Sequence, residues 1–153
     1  MSELRVLVDA DACPVKEEVY KVALRHGLSV SVVSNGGIRI PDHPLITRVI
    51  VSDAFDAADD FIAAAADVRT IVVTGDILLA ERCLKAGADV VAPTGKPFTA
   101  DTIGGAIAMR AIMADIRGSG DPTAGGGARA FSKEDRSRFL QALDGAIVRK
   151  RSR

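Results

Sequence analysis

Aspartate is the residue type whose spacing in this chain points to chemistry. Asp9, Asp11, Asp53 and Asp76 lie within three residues of the end of a short apolar run. Asp56 and Asp59 are one helical turn apart on the same face of a predicted helix. Carboxylates are hard oxygen ligands, and without a His or Cys cluster beside them they favour magnesium or manganese. A divalent ion held there would activate a water and stabilise charge on a phosphodiester. The candidate catalytic residues are Asp9, Asp11, Asp56, Asp59 and Asp76, and the candidate metal ligands are Asp9, Asp11 and Asp76.

A parallel sheet is the element that would bring these carboxylates together. Apolar, β-branched runs alternate with helical patterns, which predicts an α/β fold: a three-layer α/β/α sandwich with a mostly parallel sheet. Ligands bind such sheets beyond the carboxyl ends of the strands, where the aspartates stand. The predicted strands cover residues 4–8, 28–33, 46–51, 70–74 and 88–91, and the predicted helices cover 14–27, 56–66, 77–86 and 99–116.

Each aspartate taken singly also has a structural explanation. Asp56 and Asp59 fall at the start of a predicted helix, where acidic side chains complement the macrodipole. Asp53 has the position of a helix cap. Converging carboxylates repel one another unless a cation lies between them. For Asp9, Asp11 and Asp76 considered together, we favour a shared functional site over separate structural roles.

The composition excludes several classes of protein. The chain has 153 residues, of which 48% are hydrophobic and 26% charged, a balance that excludes disorder and fits one domain. No apolar run approaches the roughly 18 residues of a membrane span, and no signal peptide is evident, so a cytoplasmic location without a membrane partner is expected. The two cysteines are too few for a disulfide framework or a zinc site. Cys13 is expected to be a small packing residue of the core.

The net charge of zero hides an uneven distribution. Residues 1–109 carry 10 Lys+Arg and 15 Asp+Glu, a net charge of −5, whereas residues 110–153 carry 10 and 5, a net charge of +5. A basic segment can hold a polyanion such as RNA, although a solvated helix face is the commoner explanation of a charge run. The candidate substrate contacts are Asn35, Arg39, Thr74, Lys96, Arg110 and Arg136.

The chain divides into three parts. Residues 1–117 form the predicted α/β domain, and five glycines between positions 118 and 127 predict a flexible linker or lid over 118–130. Ser132 and Asp135 indicate a capping box that begins a C-terminal helix, within a basic segment over 131–153. Its apolar stripe predicts that the helix docks on the domain. Its basic residues would then hold RNA phosphates near the aspartates at the strand ends.

Four motifs resemble the YaiI/YqxD family of uncharacterised bacterial proteins. They are DADACP at 9–14, FDAAD at 55–59, VVTGDILLA at 72–80 and FSKEDR at 131–136. The resemblance runs nearly end to end. It implies a PIN-like or NYN-type fold, with the metal-dependent ribonuclease activity of such domains, Mg²⁺ or Mn²⁺ as cofactor and RNA as partner. Asp9 then matches the first-strand aspartate, Asp56 or Asp59 the middle acidic residue, and Asp76 the strand-end aspartate. PIN-like sites often carry a further acidic residue after that last position, where this chain has Ile77, Leu78 and Leu79.

Three other functions compete with the nuclease. A phospho-accepting receiver domain would also place paired aspartates after its first strand, but it needs a helix where residues 35–45 contain two Gly and two Pro. A phosphatase with Asp9 as nucleophile lacks recognisable partner residues. A non-catalytic RNA- or nucleotide-binding module of the same fold would keep the acidic cleft without turnover.

Overall fold

A six-stranded sheet forms the centre of the computed structural model, which describes residues 3–54, 56–99, 101–104 and 131–152. The strands are β1 (Arg5–Asp9), β2 (Ser29–Ser34), β3 (Ile46–Ile50), β4 (Thr70–Val73), β5 (Asp89–Val91) and β6 (Pro97–Phe98). The helices are α1 (Lys16–Arg25), α2 (Ala57–Ala65), α3 (Ile77–Lys85) and α4 (Lys133–Arg151), with a 3₁₀ turn over Ala10–Ala12. Residues 101–104 are also helical.

The strand order, β3-β2-β1-β4-β5-β6, determines where a ligand can bind. Neighbouring strands are parallel, except that β6 runs antiparallel to β5. The chain extends from β1 towards β3 on one side and from β4 towards β6 on the other. The crevice beyond the carboxyl ends of β1 and β4 is therefore the topological switch point, the usual ligand site of an open parallel sheet.

The central strands consist of apolar runs because helices cover both faces of the sheet. Val6 and Val8 point to one face and pack with α1 and α4, whereas Leu7 points to the other and packs with α2 and α3. All three side chains are at most 1% exposed. Burial of each side chain of this size stabilises the fold by roughly 1.5–3 kcal/mol. The result is the predicted three-layer α/β/α sandwich.

Helix α4 is a full part of one outer layer. It begins at a capping box, in which the Ser132 hydroxyl accepts from the Asp135 N–H at 3.1 Å and the Asp135 carboxylate accepts from the Ser132 N–H at 3.0 Å. Phe139, Leu143 and Ile147 are completely buried on its inner face. The apolar stripe of this helix therefore belongs to the core beneath α1.

The structure agrees with most of the predicted elements and differs in the start of one helix and in one additional strand. The helix at 14–27 starts two residues later than predicted, at Lys16, and strand β6 was not predicted. Residues 35–45, which are all described, contain neither helix nor strand. Most of the predicted helix at 99–116, and the Gly-rich segment 118–130, lie outside the described residues. In the described part of the chain, no helix combines the length and the apolarity that a bilayer crossing requires.

Candidate functional site

A short hydrogen-bond chain joins the ends of β1 and β4 at the switch point. The Thr74 hydroxyl donates to the Asp9 carboxylate (Oγ1 to Oδ2, 2.8 Å) and accepts from the Asp76 N–H at 3.0 Å. Asp76 caps α3, because its Oδ1 accepts from the N–H groups of Leu78 at 2.9 Å and Leu79 at 3.2 Å. Asp9, at the end of β1, and Asp76, just after the adjacent strand β4, are thus held together, with Asp9 Oδ1 outside these bonds. Thr74 was predicted as a substrate contact, but it is 1% exposed and positions the two carboxylates instead.

Asp11 stands on the loop that follows β1. Its Oδ2 accepts from the Asn35 N–H at 3.2 Å, which links the ends of β1 and β2. The Lys16 ammonium donates to the carbonyls of Ala10 at 3.2 Å and Cys13 at 2.8 Å, so Lys16 fixes the loop that carries Asp11. This role was missed at the level of sequence. A lysine in the first turn of a helix opposes the macrodipole, and this unfavourable position is the signal from which a structural role for Lys16 could have been inferred.

The start of α2 brings two further carboxylates to this edge. Asp56 is the helix N-cap, with a positive φ of 66°, the only such non-glycine residue in the described part of the chain. Its side chain makes no capping hydrogen bond, and it is exposed. Asp59 lies one turn later and is half-buried. The capping explanation therefore does not account for the Asp56 side chain, whereas both carboxylates contribute to the charge of the site.

Repulsion among the carboxylates at this edge exceeds the attraction of the described cations. Burial raises the pKa of Asp9, and the charges of Asp76 and Asp11 raise it further, while the Thr74 hydrogen bond lowers it. Burial also raises the pKa of Asp59 to about 6, with added repulsion from Asp76, Asp9 and Asp56 and a smaller opposing effect of Arg82. Like charges held this close favour either a proton or a bound cation. We call these five carboxylates (Asp9, Asp11, Asp56, Asp59 and Asp76) the acidic edge.

We expect Asp59→Asn to stabilise the metal-free protein at pH 7. Because the folded-state pKa of Asp59 is raised, its contribution to stability is fully present below about pH 4 and is lost as pH rises through about 6. Solvent screening of this half-buried group reduces the gain to about 1 kcal/mol, or ~2–4 °C in Tm. Thermal unfolding in EDTA at pH 7 and pH 4 measures it, and the gain should vanish at pH 4. The control is Asp60→Asn, which removes an exposed ion pair with Arg82; an equal gain from both variants would contradict the repulsion.

The ligands at the acidic edge fit a hard divalent ion, but not a cage built from protein alone. The charged ligand groups that the described residues supply there are carboxylates, which suit Mg²⁺ or Mn²⁺. Among the described residues, no three His, Cys, Asp or Glu side chains come together closely enough to hold one ion. The predicted set of Asp9, Asp11 and Asp76 is thus not preformed as three direct ligands. Mg²⁺ usually binds one or two carboxylates and keeps several waters, so a two-carboxylate site remains compatible with it.

The predicted substrate contacts separate into different surroundings. Asn35 and Lys96 are exposed near the carboxyl ends of the strands, and Arg39 is exposed on the loop after β2. Arg136 instead bonds within the protein: it donates to the Pro14 carbonyl at 2.9 Å and to Glu18 at 3.2 Å, and its guanidinium stacks over Phe131. These contacts hold α4 on α1, so Arg136 is engaged in packing. Arg110 lies outside the described residues.

The basic end of α4 lies away from the acidic edge, which corrects the expected role of this segment. Lys150 is buried and pairs with Asp89 at 3.5 Å, and Asp89 is the first residue of β5. Arg151 donates to the carbonyl of His26, just before β2 begins. Both contacts are at the amino ends of the strands, because α4 runs antiparallel to the sheet. Only the first turns of α4 are near the carboxyl ends.

Cys13 packs in the core, as the sequence indicated. Its side chain is 6% exposed, and burial raises the pKa of its thiol. The residue precedes α1 by three positions, so the thiol does not lie in the first turn of the helix. A raised pKa keeps the thiol protonated and unreactive near neutral pH.

Comparison with known proteins gives a family but no activity. Residues 7–149 match the model of the uncharacterised YaiI/YqxD family. A UPF0178 protein of Sphingopyxis alaskensis is 67% identical over 150 residues, which cover 97% of this chain and 96% of that protein. A UPF0178 protein of Nitrobacter winogradskyi is 58% identical over 149 residues, covering 97% and 94% of the two chains. No solved structure matches the chain significantly.

Proposed function

The chain belongs to the uncharacterised YaiI/YqxD family, and from that premise we propose that it is a divalent-metal-dependent ribonuclease with a PIN-like fold. One observation carries the proposal. Asp9 and Asp76 are joined through Thr74 at the switch point of the sheet, and their neighbours there are carboxylates of the same charge. Such an arrangement is unfavourable without a cation and suits one that also meets a phosphate.

Asp9 and Asp76 are the proposed direct ligands of Mg²⁺ or Mn²⁺. The Thr74 hydrogen bonds and the cap of α3 hold both carboxylates before any ion arrives, so little ordering remains to be done on binding. Asp11 and Asp56 would act through metal-bound waters. When bound, the ion would activate a water and stabilise the charge that develops on the phosphodiester.

Asp59 is the proposed proton acceptor for the attacking water. A general base works best when its pKa lies near the working pH, and the pKa of Asp59 is about 6 in the metal-free protein. The residue is half-buried, so its carboxylate is accessible to a substrate.

A non-catalytic RNA-binding module is the second candidate. It is favoured by the lack of three converging ligands among the described residues, since a site with fewer protein ligands binds its ion more weakly. The two candidates share a fold and a partner and differ only in turnover.

RNA cleavage by the purified full-length chain separates these candidates. A single-stranded RNA labelled at one end is incubated with the protein in Mn²⁺, in Mg²⁺ and in EDTA. The nuclease predicts fragments that accumulate with a divalent ion and not with EDTA. Binding of the RNA without cleavage under all three conditions would support the module and contradict the nuclease.

A further inference from the structure

We propose that a groove beside edge strand β3 holds the sugar-phosphate backbone of a single-stranded nucleic acid whose next phosphodiester lies at the acidic edge. The inference rests on the proposed function and gives the substrate a path. The groove has a volume of about 630 Å³ and is formed by residues 37–43, Ile46 and Arg48. We call it the edge groove. Its volume is within the range of small-ligand sites, and it is open along one side as a polymer requires.

The edge groove has a net positive charge, and its arginines have no carboxylate partner among the described residues. Arg39 is exposed and has no hydrogen bond or ion pair to another residue in the described ranges. Arg48 is also exposed and donates to the Ile38 carbonyl at 3.1 Å, so its charge has no carboxylate partner there. Asp42 is the one acidic residue of the groove, which leaves a net positive charge. Guanidinium groups pair with phosphate through two N–H donors. They therefore suit a polyanion better than the ammonium group of lysine, which acts as a point charge.

His43 adds an N–H donor. Its Nδ1 accepts from the Leu45 N–H at 3.0 Å, which assigns the ring proton to Nε2. Nε2 has no partner in the described part of the chain. A donor of this kind complements a phosphate oxygen, a ribose hydroxyl or a base edge.

The edge groove is preformed. Ile38 and Ile40 pack against the core cluster beneath α1, and Ile46 is 4% exposed. The Arg48 bond to the Ile38 carbonyl ties the loop to β3. A groove held by packing and hydrogen bonds requires little ordering when a chain binds in it.

The Gly37 end of the groove lies close to the acidic edge along the chain. The loop that lines it begins at Asn35, whose N–H is bonded to Asp11. Gly37 already belongs to the groove wall, and two residues span at most about 7 Å. A polymer that leaves the groove at Gly37 would therefore bring its next units towards Asp11. This proximity favours a nucleic acid over an acidic peptide, because a peptide offers no phosphodiester to the acidic edge.

RNA binding by charge-changing variants tests the edge groove. The probe is a fluorescent single-stranded RNA of about 12 nucleotides, bound by the full-length chain in EDTA so that it stays intact, and followed by anisotropy at several salt concentrations. Arg39→Gln/Arg48→Gln should weaken binding about tenfold and reduce the salt slope by about 1.4, since each phosphate contact on a single strand contributes about 0.7. Arg39→Gln alone should weaken binding about threefold without affecting the fold, because its exposed side chain makes no hydrogen bond or ion pair to the described residues. The matched control is Lys21→Gln/Lys85→Gln, which removes two exposed positive charges on α1 and α3.

The outcomes separate the groove from the nuclease. Unchanged RNA affinity and salt slope in the double arginine variant would overturn the groove, even if the wild type cleaves RNA. Weakened binding beside a wild type that cleaves nothing would contradict the nuclease and support the groove. DNA of the same sequence that binds with the same arginine dependence would identify the shared backbone as the recognised element. A polyglutamate peptide that binds through the two arginines while RNA does not would overturn the nucleic-acid assignment.

Discussion

Asp76→Asn is expected to reduce metal-dependent RNA cleavage by at least about 100-fold and to leave the fold intact. The substitution removes one of two proposed ligand charges, and even indirect supports of a metal commonly contribute 10–100-fold. The fold survives because asparagine is an equally good N-cap: its Oδ1 still accepts from the Leu78 and Leu79 N–H groups. Initial cleavage rates in Mn²⁺, together with circular dichroism, measure both effects.

Two variants control this result. Asp53→Asn removes an exposed carboxylate in the loop after β3 that contributes nothing to the raised pKa of Asp59, and it should cleave like the wild type. Asp76→Ala should lose both the charge and the cap, and about 1 kcal/mol of stability with it. Equal cleavage by Asp76→Asn and wild type would assign the activity to another site or another protein.

Phe139→Ala is expected to lower the free energy of unfolding by about 3–5 kcal/mol. Phe139 is the largest of the fully buried side chains and lies on the inner face of α4, so its truncation leaves a cavity in the core. The corresponding fall in Tm is about 10 °C or more for a chain of this size. Chemical denaturation monitored by circular dichroism measures the loss.

Val148→Ala is the control on the same helix, because Val148 is 50% exposed. It should change stability by no more than about 0.5 kcal/mol. Two equal effects would mean that α4 is not packed as a layer of the sandwich.

The burial of Phe139 also determines what a truncation would do. Removing residues 131–153 would uncover the core beneath α1. The roles of the basic residues are therefore better tested by single substitutions.

The positions of the catalytic candidates could be predicted because they depend on local signals. Asp9 and Asp76 each follow a continuous apolar run, and the carboxyl ends of parallel strands are where ligands bind. The alternation of strands and helices was likewise sufficient for the three layers. Strand β6 was missed because its two residues, Pro97 and Phe98, are too few to show a period.

The contacts inside the site depended on long-range pairing, which no local pattern reports. The Thr74 bond to Asp9 requires β1 and β4 to be neighbours in one particular register. The Arg136 pairing with Glu18 joins residues 118 positions apart, so a side chain predicted to meet phosphate was in fact used for packing. The direction of α4, which places Lys150 at the amino end of β5, likewise depends on contacts between residues far apart in the sequence.

Anomalous diffraction from a crystal soaked in Mn²⁺ tests the metal site most directly. We expect one strong peak between the carboxylates of Asp9 and Asp76, at about 2.0–2.2 Å from an oxygen of each, with waters completing the octahedron. The same soak of Asp76→Asn crystals should lose the peak or most of its height. A wild-type crystal with no manganese at this position, or with manganese bound only elsewhere, would contradict the account.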